Sequence, residues 1–386
     1  MTNEFEEIAH SGGQITFEIN TYEHRPGYQV SFASSRPVPT VMIQIYALAD
    51  SGVPVGVNRR VGMGVEPEPP PLARCFLVLV ASDSEGHFGH NCPTCKSYWR
   101  SGPWPNVCPY CGQWADSYEF LSQAQRRYIA HYCKVLLEAL QDGARATVSI
   151  DMDSVADAAG KEGEKPAFYV SEKSQQHKFT CAACEEFNDI LGQFGFCSLC
   201  GTRNDLPIFE TKIVPAIRER LNKGDPPEHC LRDGVSAFDT FIAQYARQLA
   251  VHVRMTKRRE DRLQNQRFHD ITELRSLFKE WFDIDVCAGM KELECQNVII
   301  KFLHRHLYEH NGGQVDKKYL DNSGDTSVIL GQLIRETQKD THDLLGSLVK
   351  MARNIHNGFH ELLPPVQAPI QALKDKQERL RKHRGL

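Results

Sequence analysis

The sequence predicts an α+β protein of several domains, in which strands come first and helices last. Three observations indicate this class. Alternating or continuous apolar residues typical of strands occupy residues 13–91, and apolar residues recur at three- and four-residue steps from about residue 207 onward. Two cysteine-rich segments lie between these regions. Strands followed by helices favour separate domains over one interleaved sheet, and 386 residues suit two or three domains.

The N-terminal region, residues 1–91, is predicted to be β-rich. Ile15–Ile19 alternates apolar and polar residues, whereas Val41–Tyr46 and Cys75–Val80 are continuous apolar runs that suit buried strands. The proline-rich stretch 66–71 cannot continue a sheet and is expected to be a loop. No catalytic motif occurs in this region, so the sequence gives it no functional role.

The elements that follow are mostly helical. A helix is expected at about 117–142, a strand at Ala146–Ile150 and a polar loop at 151–166. The later apolar periodicity predicts helices at about 207–222, 230–253, 271–283, 290–310 and 327–356. Pro364 and Pro365 end the last of these, and Lys374–Arg384 is a basic, helix-like tail.

Charge and composition exclude several classes of protein. The formal charge of -4 divides into -8 for residues 1–200 and +4 for residues 201–386, which favours the second half for a polyanionic partner. No apolar run approaches the roughly 20 residues that span a bilayer, and the acidic N-terminus does not resemble a signal peptide. We therefore expect a cytoplasmic protein with no membrane association. The odd number of cysteines, 13, argues against a disulfide framework.

The strongest motif is a repeated cysteine pattern. Both cysteine-rich segments have the spacing C-x2-C-x12-C-x2-C, and a glycine follows the last cysteine of each. Two C-x2-C pairs can close a tetrahedral shell of thiolates around one Zn²⁺ ion. The pattern resembles zinc ribbons and predicts two structural Zn²⁺ ions, without a catalytic metal, at Cys92, Cys95, Cys108, Cys111, Cys181, Cys184, Cys197 and Cys200.

The role of the ribbons stays open between a structural support and a contact with nucleic acid or protein. The first ribbon carries Trp99 and Arg100 in a basic and aromatic loop, so it is the better candidate for stacking bases and binding phosphates. The second carries Glu185, Glu186 and Asp189, which would repel phosphates. His87 and His90 are expected on the surface. The remaining thiols are expected to be buried and reduced: Cys75, Cys133, Cys230, Cys287 and Cys295.

The predicted helix 290–310 carries the second motif. Arg305 and His310 are separated by four residues, His306 lies between them, and Asn311 and two glycines follow. Together with Val315-Asp316 and Tyr319 downstream, this segment resembles the prokaryotic branch of the HEPN superfamily (higher eukaryotes and prokaryotes nucleotide-binding). The resemblance covers about 207–360 and says nothing about residues 1–206.

The resemblance implies a metal-independent endoribonuclease on an all-α helical bundle. Such an enzyme uses the 2′-OH of RNA as the nucleophile and leaves a 2′,3′-cyclic phosphate, and the family suggests a toxin or antiviral defence effector. His310 would transfer protons and Arg305 would bind phosphate. His306 and Asn311 would either position the substrate or support Arg305 and His310, and Tyr308 and Glu309 would orient these residues.

Helical geometry adds a constraint on this site. Residues five apart on an ideal helix differ in direction by about 140°, so Arg305 and His310 would not meet squarely. Either the helix opens at the glycines or, as in HEPN ribonucleases, paired motifs meet across a dimer interface. We therefore expect a homodimer through the helical bundle. The basic residues Arg254, Lys257, Arg258 and Arg259 either guide the RNA backbone or form a solvated loop or helix face.

Two alternatives remain for this segment. His306, Glu309 and His310 also form the H-x-x-E-H pattern of inverted zinc metallopeptidases, which would need a further carboxylate such as Glu336. Only 76 residues follow His310, which is too few for that architecture. Alternatively, His306 is a core or interface histidine, and the chain is a non-catalytic module that binds nucleic acid or protein.

The expected organisation follows from these boundaries. It comprises a β-rich domain at 1–91, a first ribbon at 92–116, a helix and strand region at 117–170, a second ribbon at 171–206, a HEPN-like bundle at 207–363 and a basic tail at 364–386.

Overall fold

The chain folds into two compact units, Met1–Gly201 with Val366–Leu386, and Thr202–Pro365. The computed structural model describes residues 7–11, 14–22, 25–33, 41–60, 65–83, 85–142, 147–151, 170–266, 268 and 270–384. The polar loop predicted at 151–166 lies, apart from residue 151, outside the described residues. The first unit is rich in strands and contains both cysteine repeats, whereas the second is helical.

The first unit contains small antiparallel sheets and two helices among its described residues. Its helices are α1 (Gln123–Asp142) and the C-terminal helix described below. Its strands are β1 (Glu7–Ser11), β2 (Gln14–Tyr22), β3 (Arg25–Ala33), β4 (Met42–Leu48), β5 (Pro54–Asn58), β6 (Cys75–Ala81), β7 (Phe88–Asn91), β8 (Tyr98–Ser101), β9 (Thr147–Asp151), β10 (Val170–Lys173), β11 (His177–Thr180) and β12 (Phe187–Ile190). The sheet orders are β1-β10, β3-β2-β9, β5-β4-β6 and β11-β12-β8-β7.

The core of the first unit forms where α1 packs against the β5-β4-β6 sheet. Alternate residues of β4 and β6, such as Ile45 and Val78, are buried against Ile129, Tyr132 and Leu136 of α1. The sequence predicted this apolar helical face, but it placed the start of the helix at 117. The structure has a 3-10 turn at Ser117–Phe120, followed by α1.

A reciprocal cap fixes the start of α1. The Ser122 Oγ accepts from the Gln125 backbone N–H at 3.1 Å, and the Gln125 side chain accepts from the Ser122 N–H at 3.0 Å. This arrangement is a capping box, which satisfies two backbone donors that would otherwise lack partners at a helix N-terminus. It explains why the helix begins at Gln123 although apolar periodicity extends further upstream.

The second unit is a bundle of helices. Its elements are α2 (Asp205–Ile208), a π turn (Phe209–Ile213), α3 (Val214–Asn222), α4 (Pro227–His252), α5 (Lys257–Asn265), α6 (Ile271–Phe282), α7 (Glu292–His310), α8 (Lys317–Ser323) and α9 (Gln338–Leu362). The chain then returns to the first unit as α10 (Gln367–Arg384). Among these described helices, none combines the length and hydropathy that crossing a bilayer would require.

Helix α4 lies at the centre of the bundle. Phe238 and Tyr245 of α4 are buried, with ring contacts to Phe302 of α7 and Phe359 of α9 respectively. Gly234 lets α9 approach closely, because a Cβ there would lie 2.8 Å from the Leu345 side chain. The apolar periodicity of the sequence therefore predicted the buried face of α4, but only part of the buried face of α7.

The predicted helix at 327–356 begins later than expected. Helix α9 starts at Gln338, where the Thr337 side chain accepts from the Asp340 N–H at 3.1 Å. The preceding residues form a turn whose backbone bonds to residues 313–315, for example Val315 N–H to the Gln332 carbonyl at 2.9 Å. These long-range bonds explain why an apolar stretch with helical spacing is not helical. Helices α5 and α8 were not predicted.

Candidate functional site

The eight cysteines of the repeat form two clusters of four thiols. Facing Sγ atoms lie 3.7 Å apart for Cys92 and Cys111, and 3.7 Å apart for Cys95 and Cys108. In the second cluster the distances are 3.7 Å for Cys181 and Cys200, and 3.5 Å for Cys184 and Cys197. A tetrahedral ion with Zn–S bonds of about 2.3 Å requires edges of about 3.8 Å, so both clusters fit Zn²⁺.

Each C-x2-C pair lies on a tight turn with the same backbone conformation. The residue after the second cysteine has a positive φ in all four turns: 62° at Lys96, 65° at Gly112, 60° at Glu185 and 79° at Gly201. Within these turns backbone N–H groups also point at sulfur, as in the Thr94 and Cys95 N–H contacts to the Cys92 Sγ at 3.4 Å. The sequence predicted the glycines here but not Lys96 and Glu185, which adopt a conformation that non-glycine residues seldom occupy.

The two ribbons share one sheet and are related by an approximate twofold axis. Strand β8 of the first ribbon pairs antiparallel with β12 of the second, with Arg100 opposite Asp189, and each residue lies eight positions after the first cysteine of its repeat. The residues flanking the third cysteines also exchange backbone bonds, Val107 N–H to Ser198 O at 3.0 Å and Phe196 N–H to Pro109 O at 2.8 Å. The ribbons predicted as separate segments therefore form one body.

Arg100 and Trp99 are structural residues in this sheet. Both are fully buried, so they are not available to stack bases or to bind phosphate as the sequence suggested. The Arg100 guanidinium donates to Asp189 at 2.6 Å, to Asp83 at 2.7 and 3.1 Å and to Glu85 at 2.9 Å. Asp189, expected to repel phosphates, is likewise buried.

The predicted exposure of two histidines and of the remaining thiols is only partly correct. His90 is buried rather than exposed, its Nε2 lies 3.0 Å from the Gly102 carbonyl, and burial lowers its pKa to about 4. His87 is half-buried and stacks on Phe187. Among the remaining thiols, Cys133, Cys230, Cys287 and Cys295 are buried and Cys75 is half-buried.

The Arg-His motif lies at the C-terminal end of α7, beside a cavity of about 710 Å³. Arg305, His306 and His310 all line this cavity. The rings of His306 and His310 are 4.6 Å apart because residues four apart share a helical face. The helix stays regular through His310 and ends at Asn311, so it does not open to bring Arg305 and His310 face to face.

The cavity is electrostatically mixed. Asp316, which belongs to the segment that carries the resemblance, lines it together with Glu309 and Lys318, to which the sequence assigned no role. Burial lowers the pKa of His306, and electrostatic repulsion by Lys318 and Arg305 acts in the same direction, whereas Asp316 opposes it. The Arg305 Nε is buried and has no hydrogen-bond partner among the described residues. Lys318 lies two residues after Asp316 in the sequence, but only the fold shows that it lines the same cavity as the end of α7.

Asn311 does not line the cavity. Its side-chain amide donates to the Asp316 carboxylate at 2.6 Å, and Asp316 caps α8 by accepting from the Tyr319 N–H at 2.7 Å. Gly313, with a φ of 83°, leaves room for the Tyr308 ring, since a Cβ there would lie 2.9 Å from it. Asn311 and Tyr308 therefore shape the turn after α7 rather than face the cavity.

A buried hydrogen-bonded network that the sequence did not reveal lies behind the cavity. The His304 Nδ1 lies 2.5 Å from the Glu336 carboxylate and the His304 Nε2 lies 2.9 Å from the Tyr319 hydroxyl, which donates to Asp325 at 3.0 Å. Glu336 also accepts from Lys301 at 2.5 Å. Tyr319 lines the cavity, so this network fixes one of its walls.

This network also bears on the metallopeptidase alternative. Glu336 is engaged by His304 and Lys301 rather than directed at the His306 and His310 pair. In the described parts of the chain, only the two four-cysteine clusters bring three or more ligand atoms together. The H-x-x-E-H residues therefore lack the ligand set that a catalytic zinc requires.

The cations near the start of α5 lie on the surface. Arg254, Lys257, Arg258 and Arg259 are all exposed. Lys257 pairs with Glu260 at 3.4 Å and with Asp261 at 3.2 Å, and the Arg259 guanidinium lies 5.0 Å from the centroid of the Trp281 ring. These residues are accessible to a ligand, although neighbouring carboxylates offset part of their charge.

No family model matches the chain, and no match was found among curated proteins or solved structures.

Proposed function

We propose that the second unit is a metal-independent endoribonuclease of the HEPN type. The observation that carries the proposal is the convergence of Arg305, His306 and His310 on one cavity at the end of α7. An arginine and a pair of histidines supply what RNA cleavage needs, because the 2′-OH of RNA is itself the nucleophile. Family resemblance adds the reaction class and the expectation of a toxin or antiviral defence effector in the cytoplasm.

The reaction can be written with this chain's side chains alone. His310 takes the proton from the 2′-OH, the O2′–P bond forms, and Arg305 binds the non-bridging oxygens as negative charge develops. The P–O5′ bond then breaks, and the protonated His310 returns its proton to the leaving 5′-oxygen. The products are a 2′,3′-cyclic phosphate and a 5′-OH. The lowered pKa of His306 keeps its ring neutral near pH 7, so it can accept a hydrogen bond while it positions the substrate.

The remaining residues support this arrangement. Asn311 holds Asp316 and so fixes the turn between α7 and α8, which carries Lys318 to the cavity. We further propose that two copies pair through the bundle, as the paired motifs of HEPN ribonucleases do across a dimer interface. The two four-cysteine clusters would hold structural Zn²⁺ ions, whose four thiolate ligands leave no open position for catalysis.

A non-catalytic binding module is the second candidate. The exposed cations Arg254, Lys257, Arg258 and Arg259 favour it, since they could bind a nucleic-acid backbone without any cleavage.

An RNA cleavage assay separates the two candidates. Wild-type protein is incubated with labelled RNA under brief exposure to EDTA, beside Arg305→Ala and His310→Ala. We expect each substitution to slow cleavage by roughly 10²-fold or more, which is the usual contribution of a general acid–base or of an oxyanion-stabilising group. Loss of toxicity on expression of His310→Ala would give the same answer in cells.

Matched controls come from elsewhere in the bundle. Arg353→Ala removes an exposed arginine that pairs with Glu210, and His342→Ala removes a histidine bonded to Asn222. Both should cleave at the wild-type rate. Binding of RNA with no cleavage by the wild type would favour the module. Cleavage that survives in both Arg305→Ala and His310→Ala would contradict the assigned site.

A further inference from the structure

Helix α10 returns to the first unit and leaves most of its length exposed. Its first turns are anchored on the second ribbon, where Ile370 packs against the cluster of Cys181, Cys197 and Cys200 and the Val366 N–H donates to the Cys200 carbonyl at 2.8 Å. From residue 374 to residue 383 every residue is exposed. These turns, defined here as the arm (residues 374–384), therefore have no apolar core to stabilise them.

The arm is strongly basic. The sequence gives it six lysines and arginines against two acids, a formal charge of +4. Within 4.0 Å, Lys382 pairs with Glu378 and Lys376 with Glu185 of the second ribbon. Lys374, Arg379 and Arg381 have no carboxylate partner among the described residues. Much of the charge of the arm is thus free to bind a ligand.

The arrangement of these charges favours a polyanionic chain over other partners. At about 100° per residue, the cations lie on all sides of the helix rather than on one face. Leu380 is the one apolar residue in the sequence of the arm. The arm therefore lacks the apolar face that membrane insertion or docking in a protein groove requires. Arginine forks also match phosphate oxygens better than a lysine point charge does.

We propose that the arm binds the phosphate backbone of single-stranded RNA. The choice of RNA rests on the proposed ribonuclease function, whereas the phosphate chemistry rests on the arm itself. A helix this exposed is marginally stable alone, because its cations repel each other. Phosphate groups that bind and neutralise these cations would stabilise the helix.

Binding is tested on the full chain with its zinc ions, in a His310→Ala background that prevents cleavage. Fluorescence anisotropy of a labelled single-stranded RNA gives the affinity of the parent and of Arg379→Gln/Arg381→Gln/Lys382→Gln at several salt concentrations. We expect the triple variant to bind about tenfold more weakly. Its log K against log salt should be less steep by about 2, from three lost phosphate contacts at about 0.7 each.

A charge-matched control excludes a general effect of net charge. Lys212→Gln/Lys223→Gln/Lys339→Gln removes three exposed lysines from the second unit and should keep the parental affinity and salt slope. The proposal is overturned if the arm variant matches this control, or if the arm prefers single-stranded DNA to RNA. Helix content and zinc content of each variant verify that the fold is intact.

The outcome is separable from that of the proposed function. If arm-dependent RNA binding is found but wild-type protein does not cleave RNA, the RNA-binding role of the arm is supported and the ribonuclease proposal is contradicted. If cleavage depends on Arg305 and His310 but the arm variant has the parental KM and RNA affinity, the ribonuclease proposal is supported and the RNA-binding role of the arm is contradicted. If the arm contributes only to substrate binding, the triple arm variant should have a higher KM than the wild type and an unchanged kcat.

Discussion

Arg100 shows how the role of a single residue depends on partners that are distant in the sequence. Beside Trp99 and Tyr98, it has the composition of a base-stacking surface. In the fold it is buried among Asp83, Asp189 and Glu85, with Asp83 17 residues away and Asp189 89 residues away. Hydrogen bonding to Arg100 lowers the pKa of Glu85, which agrees with strong pairing. Sequence pattern alone could not reveal these pairings, because they require two ribbons to share a sheet.

Arg100→Met is predicted to destabilise the first unit strongly. Removing the guanidinium leaves the buried Asp83 and Asp189 carboxylates unpaired, which typically costs about 3–5 kcal/mol. Thermal unfolding followed by circular dichroism measures the loss. The control is Arg74→Met, which removes an exposed pair with Asp50 and should cost less than about 1 kcal/mol. Similar melting temperatures for the two variants would refute the structural role of Arg100.

At His306, the pKa reports the electrostatics of the cavity. Lys318 is one of the positive charges that lower this pKa, so Lys318→Met should raise it toward the ordinary value of about 6.5. The NMR titration of the His306 ring measures the shift. Lys223→Met, a substitution of a surface lysine paired with Glu219, should leave the titration unchanged. A pKa unaffected by Lys318→Met would mean that Lys318 does not face the ring in solution.

His356, buried beside Tyr245, makes stability depend on pH. Its pKa is lowered to about 3, chiefly by burial, and its Nδ1 lies 2.7 Å from the Tyr245 hydroxyl. The unfolded chain takes up a proton near pH 6.5 while the folded chain does not, so stability is lost as pH falls from about 6.5 toward 3, at up to about 1.4 kcal/mol per pH unit.

Denaturant unfolding at several pH values checks the effect of His356. His356→Gln should flatten the decline in the free energy of unfolding between pH 6 and pH 4 relative to wild type. Identical pH profiles for the two proteins would exclude His356 as its source.

At the scale of elements, apolar periodicity predicted most of the long helices, and cysteine spacing predicted both four-cysteine clusters. These features are local, since helical faces repeat within a few residues and each C-x2-C pair forms one turn. The features that the sequence did not predict depend on contacts between residues that are distant in the chain. The stretch before α9 has helical spacing but bonds to residues 313–315, and β8 pairs with β12 of the other ribbon. The Arg-His motif was visible in sequence, whereas the Lys318 and Tyr319 walls of its cavity required the fold.

The shared sheet predicts that the two proposed zinc sites depend on each other. Cys108→Ser removes a ligand from the first site, and its neighbours Val107 and Pro109 hold the turn of the second. We expect the variant to release zinc from both sites faster than wild type, as measured with a chromogenic chelator and by zinc content. Cys75→Ser, which changes a half-buried thiol outside the clusters, should keep wild-type release. Retention of one zinc with unchanged kinetics would show that the sites are independent.

On the scale of the whole molecule, two units carry different chemistry. The first holds both four-cysteine clusters and the basic arm, and the second holds the Arg-His cavity. We propose RNA binding for the arm and cleavage for the cavity. The charge difference between the halves of the sequence agrees with a polyanionic partner for the C-terminal half, which contains both the arm and the motif.

The proposed homodimer concerns the second unit as a whole. Light scattering after size-exclusion chromatography should give twice the mass of one chain at micromolar concentration. A chain that is monomeric under assay conditions and still cleaves RNA would contradict pairing through the bundle, while leaving Arg305 and His310 as the cleavage residues.

The most direct test of the proposed ribonuclease is the chemistry of the RNA ends. Mass spectrometry of a defined oligonucleotide after incubation with wild-type protein identifies the new termini. We predict a 2′,3′-cyclic phosphate and a 5′-OH with the wild type, and intact RNA with Arg305→Ala or His310→Ala. A 3′-OH with a 5′-phosphate would mean that water, not the 2′-OH, is the nucleophile, and it would contradict the proposed reaction.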